Sequence, residues 1–118
     1  MSNPLESKPS EIIHSTEEDL VRLLLDDKGI DNPDAKEALL KLVSKYEQEA
    51  NDKAMTNPDN AEVSNRANIV CAIKVAQIYL NTTRYREEGL NSLGDALEMA
   101  SQREETRDLY IFILRLLE

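Results

Sequence analysis

From Ile69 to Leu80 the chain contains only two polar residues, Lys74 and Gln77. With Asn81 they stand at i, i+3 and i+7, which is one narrow strip along a helix. The rest of the circumference is apolar, and a helix apolar almost all round has to be enclosed by its neighbours. Residues 67–80 are therefore expected to be the central post of an all-α domain, an antiparallel bundle of about five helices. The apolar run is too short to cross a bilayer, which takes about 20 residues.

The flanking sequence supplies the helices that would wrap this post. Ser15 and Glu18 stand in capping-box spacing, with Glu17 and Asp19 adding negative charge to a helix start. Leu20, Leu23 and Leu24 mark the predicted inner face of this first helix, and Gly29 stops it. Asn32 and Pro33 open a second helix. Its core stripe is Ala35, Ala38, Leu39, Leu42, Val43, Tyr46 and Ala50, and it is expected to run about 18 residues before a break at 53–57. Asn57, Pro58 and Asp59 repeat the earlier start signal, so a third helix is predicted from Pro58 to about Asn81. Its polar first half would project beyond the core or rest one edge on the second helix, and Lys74 and Gln77 would be the strip of the post that touches water.

A fourth helix follows Asn81, Thr82 and Thr83, turning Tyr85, Gly89, Leu93, Ala96, Leu97 and Ala100 inward. Gly89 and Gly94 inside it each cost about 1 kcal/mol relative to Ala. Both are expected to be offset by close approach to the post, where Ala72 and Ala76 are also small. Ser101 and Glu104 repeat the capping-box spacing and place a break near 101–103. The last helix carries the run 109–117, LYIFILRLL. Residues 1–13, with Pro4 and Pro9, read as a flexible tail on which Ile12 and Ile13 can pack; residues 14–118 read as one domain.

Composition narrows the function. The 118 residues carry 14 basic and 23 acidic side chains, a formal net charge of −9. Such a surface repels phosphate backbones and anionic membranes, so neither nucleic acid nor membrane is an expected partner. The lone cysteine, Cys71, sits in the apolar run and reads as a small buried hydrophobe; with no signal segment at the start, the expected compartment is the cytoplasm. His14 is the only histidine. Glu11 and His14 have the Glu-x-x-His spacing of carboxylate-bridged metal bundles, which require two such motifs and further glutamates. No nucleophile elbow or phosphate-cradling glycine loop occurs. Glu87, Glu88 and Asp95 read as a solvated face. No catalytic, cofactor-binding or metal-binding residue is predicted; a metal-dependent helical enzyme built on those carboxylates is the competing reading.

The C-terminal run carries the functional expectation. Tyr110, Phe112, Ile113, Leu116 and Leu117 exceed what one face of a terminal helix buries within its own domain. They are the predicted partner-binding set of a non-enzymatic interaction module, an adaptor or assembly subunit. The partner would be another protein or a second copy of the chain. A terminal helical domain of a larger protein is a further alternative.

Residues 72–100 resemble one tetratricopeptide repeat, a family of 34-residue helix pairs. Ala76 and Tyr79 are similar to the small residue and tyrosine of its first helix, and Tyr85 to the tyrosine at its turn. Gly89, Leu93, Ala96 and Leu97 resemble the pattern of its second helix. Tyr85 and Gly89 stand one residue farther apart than the family's Tyr-x-x-Ala, and no proline closes the unit. The resemblance covers about a quarter of the chain. It implies a helix-pair architecture and binding of a peptide or protein, and it transfers no ligand residues.

Overall fold

Helices account for nearly all of the ordered backbone. The computed structural model describes residues 9, 11, 12 and 15–118. Five α-helices follow in order: α1 (Thr16–Lys28), α2 (Pro33–Thr56), α3 (Ala61–Leu80), α4 (Arg86–Ser101) and α5 (Arg107–Leu117). A single 3-10 turn, Glu104–Thr106, joins the last two. The described residues contain no strand, so the chain is an all-α bundle of packed sequential helices.

The post is α3, and it feeds two cores at once. Ile69, Val70, Ile73, Ala76 and Leu80 pack with Leu93, Ala96 and Ala100 of α4 and with Leu109, Phe112 and Ile113 of α5. On its other side Ile78, with partly buried Cys71, Val75 and Tyr79, meets Val21 and Leu25 of α1 and Leu39, Leu42 and Tyr46 of α2. No residue from Ile69 to Leu80 is exposed. Lys74 departs from the expected water-facing strip. Its side chain is only 16% exposed, its Nζ lies 3.2 Å from Glu49 Oε2, and it sits 5.1 Å from the centre of the Tyr46 ring. The long apolar stem of a lysine can cover α2 while its charge finds a carboxylate.

The helix ends follow the capping chemistry with one displacement. Ser15 caps α1 by accepting from the Glu18 N–H, and Gly29 leaves that helix at φ 85°, a conformation that favours glycine. Asn32 caps α2 through the Asp34 and Ala35 amides. Helix α2 continues past the break expected at 53–57 and runs 24 residues. Asn57 does not start α3. Its side-chain amide donates back to the Lys53 carbonyl at 3.2 Å, which closes α2, and Asn60 caps α3 instead. An Asn-Pro pair next to a helix end serves either neighbour, and here the preceding one takes it.

The inner face of α1 is a correction. Val21 and Leu25 are buried, while Leu20 and Leu23 are 59% and 58% exposed; Leu24 is half-buried. Glu18 takes the place on the inner stripe that Leu20 and Leu23 were expected to define. The Tyr46 hydroxyl donates to Glu18 Oε1 at 2.5 Å, which allows a carboxylate to be buried there. Burial and this bond push the Tyr46 phenol well above its usual range. The α1–α2 and α3–α4 turns are tied together. The Ile30 N–H donates to the Tyr85 hydroxyl at 2.8 Å, and Asp26 Oδ1 accepts from the Thr83 and Arg84 amides.

Candidate functional site

Helix α5 begins where Thr106 is buried. Its hydroxyl lies 2.8 Å from the Ala100 carbonyl and 3.1 Å from that of Arg103, bracing the turn that ends α4. The break expected near 101–103 is therefore present, and it turns α5 back along α4. With the turn fixed, helical periodicity sorts the apolar run into two faces. Leu109, Phe112 and Ile113 point inward and are buried. Tyr110, Leu116 and Leu117 are partly buried against the same core. Leu114, absent from the predicted set, is 38% exposed.

Five residues were expected to face a partner. Burial withdraws Phe112 and Ile113 from a docking role, because the closing of the core consumes them. What remains outward is Tyr110, Leu114 and Leu117, at i, i+4 and i+7. Leu114 was missed because a run apolar at almost every position gives no phase to its own helix. The signal that finds it is its 120°-scale offset from Leu109 and Ile113, once these are known to be inside. Beside Tyr110, at the α4–α5 turn, a cleft of 440 Å³ is lined by Ala100, Ser101, Gln102, Arg103, Glu104 and Arg107.

The chemistry expected elsewhere is spread out. Glu87, Glu88 and Asp95 are all exposed on α4. Among the described residues no group of three or more His, Cys, Asp or Glu side chains is gathered to hold a metal ion. His14 lies outside the described residues, and Glu11 is engaged by Arg66 at 2.7 Å. Cys71 is half-buried rather than buried, and burial, with Glu47 nearby, raises its thiol pKa. A raised thiol is a poor nucleophile at neutral pH. No helix among the described residues is long and apolar enough to cross a membrane.

No protein-family model, curated protein or solved structure matches the chain.

Proposed function

We propose that this protein is a non-enzymatic interaction module, an adaptor or assembly subunit that holds another protein or a second copy of itself. The observation that carries the reading is the outward stripe of α5. Tyr110, Leu114 and Leu117 keep apolar surface in contact with solvent along one line of a helix whose opposite face closes the core. Anchors at i, i+4 and i+7 are how a helix is read by a groove or by a second helix. The stripe rests on Phe112 and Ile113, which hold it rigid from beneath, and a rigid stripe loses little entropy on binding.

Light scattering over a concentration series, with chemical cross-linking to native partners, tests the proposal. Leu114→Asp places a charge in the stripe without touching the core. It is expected to abolish association or capture while the circular dichroism and melting of the chain stay unchanged. A chain that is monomeric throughout and cross-links identically with and without Leu114→Asp refutes the reading.

A further inference from the structure

A second surface is already in use within the chain. Pro9 and Ile12 are buried, Ile12 at 8% exposure, and the Ile12 N–H donates to the Pro9 carbonyl at 3.2 Å. Ile12 joins the core cluster that α3 and α5 share. Between them, Glu11 Oε1 accepts from Arg66 Nε at 2.7 Å. The other two nitrogens of the same guanidinium donate to both carboxylate oxygens of Asp108, at 2.8 and 2.6 Å. One planar fork on α3 thus grips the N-terminal segment with one edge and the first turn of α5 with the other. Helix α5 packs chiefly on α4, which leaves its seam with α3 for this guest.

A charge-assisted bond to a carboxylate, an apolar pocket beside it and a buried proline are the elements of a peptide site. We propose that the α3/α5 seam around Arg66 is such a site, filled in cis by this chain's own N-terminal segment, and that its partner in trans is the Pro-x-Glu-Ile segment of a second copy. The segment seated in the seam shows which chemistry fits. Exchange between copies preserves each of these contacts, so it costs little beyond association itself. A tethered guest has a high effective concentration, so cis occupancy wins until the chain is concentrated or its own segment is unseated. Asp108 lies on the other flank of α5 from Leu114, so this site and the outward stripe are independent.

The test is a fluorescence-anisotropy titration of a labelled peptide covering residues 5–16 against the full chain. The Ile12→Asp variant, whose own segment is unseated, is expected to bind the peptide saturably. Wild type should bind about tenfold more weakly, through cis competition. Arg66→Met added to the variant should abolish binding, and Leu114→Asp added instead should leave it intact. Glu11→Arg is the alternative unseating variant if Ile12→Asp loses its helical signal. No binding to a folded unseated variant, or binding indifferent to Arg66→Met, overturns the site. The second copy is tested by sedimentation velocity: wild type should dimerise with rising concentration and Glu11→Arg should not. A wild type that stays monomeric overturns that partner even where the peptide binds.

Discussion

The Cβ that Gly89 lacks would stand 2.3 Å from the Leu80 amide nitrogen and 2.5 Å from the Leu80 Cα. The last turn of α3 and the first turn of α4 therefore meet backbone to backbone. Neither side can yield, because the atoms in the way belong to the main chain and not to a flexible side chain. Gly89→Ala is expected to destabilise the fold by about 1–3 kcal/mol, the usual range for overpacking. Gly94 has nothing within 4 Å of its missing Cβ. Gly94→Ala should instead stabilise by up to about 1 kcal/mol, through helix propensity alone. Urea denaturation of the two variants should shift their midpoints in opposite directions.

The two faces of α5 separate under substitution. Ile113 is fully buried and Leu114 is not. Ile113→Ala is expected to cost about 2–5 kcal/mol, and Leu114→Ala no more than about 0.5 kcal/mol. Similar losses from thermal melting of the two would mean that the stripe is part of the core.

The same contrast holds on α1. Leu25→Ala should cost about 2–5 kcal/mol, whereas Leu20→Ser and Leu23→Ser should each fall within about 0.5 kcal/mol of wild type. Tyr46→Phe removes the hydroxyl that the buried Glu18 carboxylate accepts from. It should cost about 1–3 kcal/mol despite changing one atom. A neutral Tyr46→Phe, measured by urea denaturation, would show that the pair contributes no net stability.

The Arg66 fork predicts an acid dependence. Its hydrogen bonds, together with its charge, hold the Glu11 and Asp108 carboxyls below their ordinary range. Lowered folded-state values make the contribution fully present above the unfolded values, near about 4. It is lost as pH falls through the folded ones, because the unfolded chain then takes up protons first. Urea midpoints should fall more steeply for wild type than for Arg66→Met between about pH 4.5 and 2. Parallel curves would remove the latch as a source of that slope.

What the amino-acid order determined by itself is the helical plan. The all-round apolar character of 69–80 demanded an enclosed post, and α3 is one. Ser15, Gly29, Asn32 and Pro33 act locally, through hydrogen bonds and backbone preferences that reach only a few residues, so they marked their helix ends correctly. The stripe of α2 was legible because its apolar residues fall on one face only.

Tertiary structure decided whatever depended on residues far apart in the chain. Leucines stand on both sides of α1, and only the Tyr46 hydroxyl, 28 residues from Glu18, made the carboxylate side the buried one. Gly89 and Gly94 look alike in sequence, yet one touches Leu80 and the other touches nothing. The run 109–117 is apolar at eight of nine positions, so its phase came from the Thr106 turn and from the core it closes. Arg66 meets Glu11 across 55 residues and Asp108 across 42. Pairings at that separation are chosen by packing, since a charge in the sequence carries no address for its partner.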